Sequence, residues 1–164
     1  MPATSIDTGT PDLLASLNDG VLTLTLNRPD ARNAMSDDMN QALARQLAEA
    51  ELNAAVKCIV LTGAGQGFCA GGDVKAMAGR GGGASGASGV DAAIHRQRVN
   101  QRATAGKLYT LPKPTLAALP GAAAGAGFAL ALACDLRIMA KTAFLTTAFA
   151  RVGLAGDYGG TYFL

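Results

Sequence analysis

Two short stretches hold residues able to do chemistry through backbone atoms: Phe68-Cys69-Ala70-Gly71-Gly72-Asp73 and Gly121-Ala122-Ala123-Ala124-Gly125-Ala126-Gly127. Each brings small residues to a turn after a strand candidate. Where a chain enters a helix, the first N–H groups lack intrahelical partners, and small residues let a ligand oxygen come within hydrogen-bonding distance. Two such N–H groups converging would make an oxyanion hole. The same small residues also permit close strand–helix packing, and residue types alone leave the two readings level.

Other chemistries fit poorly. Gly63-Ala64-Gly65 and Gly125-Ala126-Gly127 both follow strand candidates, but the sixth positions are Phe68 and Leu130. No acid stands about twenty residues after Gly127 to hold a ribose hydroxyl, so neither completes a dinucleotide fingerprint. Gly106-Lys107 is followed by Leu108, which rules against a Walker loop, and Ser85 and Ser88 do not sit in the G-x-S-x-G frame of a serine nucleophile. His95 is the single histidine and reads as a solvated residue on a polar helix, with Asp91 the one acid near enough to orient it. Cys58, Cys69 and Cys134 are widely spaced with no CxxC pair. Neither a disulfide framework nor a zinc or other metal site is expected, and a reducing cytoplasm is.

The elements that must position the two small-residue turns follow from hydrophobic period. Val21 to Leu26 alternates Leu with Thr, which predicts a half-buried strand with Leu22, Leu24 and Leu26 on one face. Asn27-Arg28-Pro29-Asp30 breaks it. Ser36 then makes an N-cap, and Met39, Leu43, Leu47 and Ala50 recur at helical spacing to about Leu52. Cys58-Ile59-Val60-Leu61 reads as a buried strand ended by Thr62-Gly63, so the order strand–helix–strand predicts an α/β unit with a right-handed crossover. Residues 79–89, with six glycines in eleven positions, read as a flexible surface loop. Ile94 to Leu111 reads as a second helix closed by Pro112-Lys113-Pro114, and Thr115 to Leu119 as a strand.

Pro114 to Cys134 carries no charge, a length that could span a bilayer, but it is dominated by Ala and Gly and broken by Pro120-Gly121. A buried strand–turn–helix is the reading, followed by a strand over 135–139 and a short one at Phe144-Leu145. Asp157 heads a last helix. Residues 1–12 have no signal-peptide pattern and are expected to be a loose tail before a core over 13–164.

Composition agrees with one globular domain. The 164 residues are 49% hydrophobic and 16% charged, with 14 basic against 12 acidic side chains. A net charge of +2 is too small to build a phosphate-binding surface for nucleic acid.

Taken in order, Asn27-Arg28-Pro29-x-x-Arg32-Asn33-Ala34-Met35, Val60-Leu61-Thr62-Gly63, Phe68 to Asp73, Lys113-Pro114, Gly121 to Gly127, Cys134-Asp135-Leu136-Arg137 and Arg151-Val152-Gly153-Leu154 resemble the enoyl-CoA hydratase/isomerase (crotonase) family. The resemblance runs from about Asp12 to Leu164. It implies an α/β fold, a crotonase-like spiral of repeated β-β-α units, that binds an acyl-CoA thioester and stabilises its enolate. The implied donors to the thioester oxygen are the backbone N–H groups of Gly72 and Ala126. A preorganised donor of this kind contributes roughly 3 kcal/mol as charge develops on the oxygen.

Acid–base residues decide the reaction. The hydratases of the family use two glutamates, and ungapped counting puts Ala129 and Phe149 at those positions, neither able to move a proton. The acid position of the dienoyl-CoA isomerases and of isomerases acting on ring-opened phenylacetyl-CoA pathway substrates falls on Asp157. The resemblance therefore implies isomerase-type chemistry with Asp157 as acid and base; without it, Asp157 reads as an N-cap before Gly159-Gly160. An aryl-halide dehalogenase branch also places an aspartate there, but the histidine it needs falls on Arg102. Arg32 and Lys75 correspond to residues that meet the CoA phosphates, and Ala70 and Asp73 to backbone contacts of the adenine region, with Ala34 in the same CoA-binding set. No cofactor is implied beyond coenzyme A as part of the substrate. The family continues past Leu164 into a helical region that closes the acyl pocket and builds trimers, so a truncated core is expected here, with a homotrimer or hexamer as the full-length assembly. A non-catalytic acyl-CoA-binding subunit or inactive fragment is the alternative.

Overall fold

The structure, a computed structural model, describes residues 3–73, 87–153, 156 and 158–164. Its main layer is a six-stranded sheet in the order β1-β2-β3-β4-β5-β7. β1 (Thr4–Ile6), β2 (Leu13–Asn18) and β3 (Val21–Leu26) form an antiparallel meander. β3, β4 (Cys58–Gly63), β5 (Thr115–Leu119) and β7 (Leu136–Met139) are parallel neighbours. Parallel neighbours need a crossover between them. The first is α1 (Asp37–Leu52), whose N-cap is Ser36, accepting the Met39 N–H at 3.1 Å. Leu22, Leu24 and Leu26 are buried on alternate positions of β3, and Met39, Leu43, Leu47 and Ala50 bury one stripe of α1 in the same core. Each leucine so covered contributes about 2 kcal/mol.

α2 (Ala87–Gln101) runs through a π-helical turn, Arg102–Gly106, into the short α3 (Lys107–Thr110). Thr104 is fully buried there and donates its hydroxyl to the Asn100 carbonyl at 2.7 Å. The uncharged run expected to be strand–turn–helix is β5, then β6 (Ala123–Ala124), then α4 (Ala126–Ala133), and β8 (Leu145–Thr146) pairs with β6.

A second, smaller layer builds the spiral. After β3 the chain makes a parallel bridge from Met35 to Gly72; after β4, one from Cys69 to Ala123; after β5, β6 pairs in parallel with β8. β3, β4 and β5 are thus each followed by a short extended piece that pairs with its equivalent one turn further along. The α/β spiral of β-β-α units implied by the resemblance is the observed architecture. Among the described residues no helix is long and apolar enough to cross a membrane.

Three local expectations need correction. Within the stretch read as a loose tail, Thr4–Ile6 forms β1, and Thr8 is buried with its hydroxyl on the Leu13 carbonyl at 2.6 Å. β2 was not expected, although Asp19 and Gly20, at φ 47° and 84°, make the left-handed two-residue turn that an Asp-Gly pair favours between antiparallel strands. The last helix does not form over 158–162, which makes turns. Tyr158 and Gly159 take positive φ, 56° and 81°, and the Tyr162 and Phe163 N–H groups both turn back to the Gly159 carbonyl. The expected flexible loop lies outside the described residues up to position 86; from Ala87 the chain is helical.

Candidate active site

The loop after β4 and the turn before α4 meet. Phe68 and Cys69 both donate their N–H to the Ala122 carbonyl, at 3.1 and 3.2 Å, and Ala124 donates to the Cys69 carbonyl at 2.8 Å. Just beyond these bonds, both segments adopt backbone conformations that glycine favours: φ is 97° at Gly71 and 53° at Gly125. A Cβ on Gly71 would lie 2.9 Å from the Ala124 carbonyl oxygen and 3.3 Å from the Ala126 nitrogen. The close packing that small residues permit is therefore present at this turn.

Gly72 follows Gly71 directly, and the Ala126 nitrogen is one of the atoms at that contact. In the parallel bridge, Met35 bonds to the residues flanking Gly72, as its N–H does to the Gly71 carbonyl at 2.8 Å, so the bonds of Gly72 itself face away from Met35. Ala126 is the first residue of α4, where an N–H has no intrahelical acceptor and the helix dipole adds positive potential. Gly125, just before it, does have an acceptor, the Thr146 carbonyl at 3.1 Å. Neither the Gly72 nor the Ala126 N–H finds an acceptor among the described residues. Gly72 is half-buried and Ala126 is buried.

Cys69 lies beside this turn. It is fully buried, its sulfur accepts the Gly71 N–H at 3.4 Å, and burial pushes its thiol up to about 12, only partly offset by that bond. It is therefore a neutral thiol at ordinary pH and serves as a packing and accepting group.

The other expected residues fall as follows. Arg32 is exposed, with left-handed φ 53°, and its guanidinium has no ion-pair partner among the described residues. Its carbonyl accepts the Ala70 N–H at 3.0 Å, which joins Arg32, Ala34 and Ala70 along one seam. Asp73 follows Gly72 and forms an ion pair with Arg28 at 2.9 Å. Lys75 and Asp157 lie outside the described residues. Ala129 is fully buried on α4, with Gly160 packed nearby, and Phe149 has its ring against Gly156. His95 is exposed on α2, as its polar surroundings implied. Two clefts of about 340 and 410 Å³ lie elsewhere, between β1 and α1 and around Pro112 and Asp135.

Arg28 and Asn33, both in the Asn27–Met35 motif, lie outside the expected site residues. Arg28 reaches Asp73, the Ala34 carbonyl at 2.7 Å and Asp12 at 3.5 Å, tying three segments together. Asn33 is buried at the junction of two loops. The signal available was a polar amide in a strand-to-helix loop, where asparagine tolerates the left-handed region.

The profile of the Enoyl-CoA hydratase/isomerase family matches residues 16–164. The chain belongs to that family. It is 40% identical over 152 residues to an Escherichia coli K12 protein named 1,2-epoxyphenylacetyl-CoA isomerase, covering 93% of this chain and 56% of that one. It is 33% identical over 150 residues to enoyl-CoA hydratase AFT3-1 of Alternaria alternata, covering 89% and 46%. Among solved structures, an enoyl-CoA hydratase from Polaromonas sp. JS666 superposes with a TM-score of 0.78 at 34% identity, covering 92% of this chain and 56% of the other. The chain of this family member thus spans about half the length of the relatives it matches.

Proposed function

We propose that this chain carries the thioester-activating part of an acyl-CoA isomerase, with the N–H groups of Gly72 and Ala126 holding the thioester oxygen. The observation that carries the reading is the approach of the Gly71-Gly72 turn to the first residue of α4, with neither N–H group meeting an acceptor among the described residues. As a base removes a proton from C2, the electron pair moves onto the carbonyl oxygen, and donors already aimed there lower the barrier without reorganising. Asp157 takes the C2 proton and returns it at C4, moving the double bond into conjugation. Arg32 and Lys75 meet the CoA phosphates by charge and reach, while Ala34, Ala70 and Asp73 line the adenine end. Coenzyme A enters as part of the substrate, and the reaction needs no further cofactor.

The isomerase preference rests on the apolar side chains at Ala129 and Phe149, where a hydratase would need carboxylates. It is in keeping with the isomerase name of the Escherichia coli relative. Assaying the chain with 3-enoyl-CoA and with 2-enoyl-CoA separates the reactions: double-bond migration is expected and hydration is not. Asp157→Asn should lower migration by about 10²- to 10⁴-fold while leaving acyl-CoA binding intact. Turnover that survives this change overturns the assignment of the base.

The same apolar pair favours one other reading, a non-catalytic acyl-CoA-binding unit. It predicts that CoA thioesters raise the unfolding temperature with no turnover of either substrate. Turnover by a homogeneous preparation eliminates it.

A further inference from the structure

Asn33 is fully buried, with left-handed backbone at φ 55°. Its amide is committed to two loops at once. Oδ1 accepts the Arg28 N–H at 2.9 Å, and Nδ2 donates to the carbonyls of Ala64 and Gly67, both at 2.9 Å. Two acceptors and one donor around the group fix which amide atom is nitrogen and demand a neutral amide rather than a carboxylate. The space is tight as well, since a Cβ on Gly63 would stand 2.8 Å from Nδ2.

These bonds open a seam that ends at the donor pair. Beyond Gly67, Ala70 donates to the Arg32 carbonyl and Met35 donates to the Gly71 carbonyl, at 3.0 and 2.8 Å. The loop after β3 thus grips the loop after β4 at positions 64, 67, 70 and 71, and Asn33 supplies the side-chain part of the grip. The gripped loop contains Gly65, Gly67, Gly71 and Gly72, whose backbone is freer than that of other residues, so its shape on either side of the buried Phe68 and Cys69 depends on such bonds. A hydrogen bond weakens steeply once its angle falls toward about 120°, so a small tilt of this loop changes what the Gly72 N–H can do.

We propose that Asn33 is a positioning residue that sets the direction of the Gly72 N–H toward a thioester oxygen. This rests on the reading of Gly72 as a donor. The test uses butyryl-CoA labelled with ¹³C at the thioester carbon and follows its carbonyl stretch by infrared difference spectroscopy, alongside the affinity for free CoA. The wild-type chain should lower the stretching frequency of the bound thioester relative to solution. Asn33→Ala should lose most of that lowering while holding free CoA, which has no thioester carbonyl, as before. Absence of lowering in the wild type overturns the donor reading and this inference with it. Full lowering in a folded Asn33→Ala overturns this inference alone.

Should Asn33→Ala not fold, Asn33→Asp keeps the shape and the acceptor for Arg28 but turns an oxygen toward two carbonyls. Its ionised form should lack the lowering, and acidification should restore it, because a protonated carboxyl can donate again. A signal in Asn33→Asp that follows pH no more than the wild type does overturns the inference, as does failure of both variants to fold, which would assign Asn33 to the fold.

Discussion

Gly127 lies against Cys69 so closely that a Cβ on it would fall 2.5 Å from the Cys69 carbonyl oxygen, 2.6 Å from its Cβ and 2.9 Å from its sulfur. The first turn of α4 can approach the loop after β4 only because that carbon is missing. Gly127→Ala should therefore push the two apart, costing about 1–3 kcal/mol in urea unfolding and weakening acyl-CoA binding. Because the nearest atom is a backbone oxygen, adding Cys69→Gly should recover only part of the loss. Full recovery in the double variant would show that the side chain, not the carbonyl, sets the approach.

That contact also marks where sequence reading ends. Strand β3 was legible because Leu22, Leu24 and Leu26 alternate with threonines, and α1 because Ser36 caps a stripe of Met39, Leu43 and Leu47; both signals are local. The Gly71–Ala126 approach joins residues more than fifty positions apart, and only the resemblance, not periodicity, paired Gly72 with Ala126. The three bonds of Asn33 were invisible for the same reason: their partners Ala64 and Gly67 bond through main-chain carbonyls, which carry no residue-type signal. The final helix failed for a local reason, since Tyr158 and Gly159 both take left-handed backbone.

Two buried thiols give a pH dependence with a definite sign. Cys69 and Cys134 are both pushed up to about 12 from an ordinary value of 9.0, mainly by burial. A folded-state value above the unfolded one favours the fold fully below the unfolded value. Above pH 9.0 the unfolded chain releases protons that the folded chain keeps, so stability falls as pH rises from there toward about 12. The slope is at most about 1.4 kcal/mol per pH unit for each thiol. Urea unfolding on both sides of pH 9.0 should show a shallower fall in Cys69→Ala than in the parent, and equal slopes would mean that Cys69 ionises freely in the fold.

Lys113, read from sequence as part of a Lys-Pro motif, has a structural task. Its ammonium donates to the Ala50 carbonyl at 2.5 Å and the Asn53 carbonyl at 2.7 Å, where α1 ends without a basic residue in its own last turn. A cation there satisfies carbonyls that have no intrahelical donor and opposes the negative end of the helix dipole. Lys113→Met keeps most of the aliphatic stem and should cost about 1 kcal/mol by chemical denaturation. An unchanged midpoint would leave the Lys113 contacts without energetic weight.

The two edges of the main sheet differ in what they offer. β1 is three residues long and carries Thr4 and Ser5, whereas β7 exposes Leu136 and Ile138, at 62% and 63%, beside Arg137 and Met139. Among the described residues β7 pairs on one side alone, with β5. A free edge bearing exposed apolar side chains is a template for pairing with another chain, and a lysine on such an edge blocks it. The 164-residue chain should therefore self-associate as its concentration rises, and Ile138→Lys should shift it toward monomer in sedimentation velocity. Because Ile138 is already largely exposed, that change should move stability by no more than about 0.5 kcal/mol. A parent chain that stays monomeric at every concentration, or an Ile138→Lys variant that associates as the parent does, would remove β7 as the sticking edge.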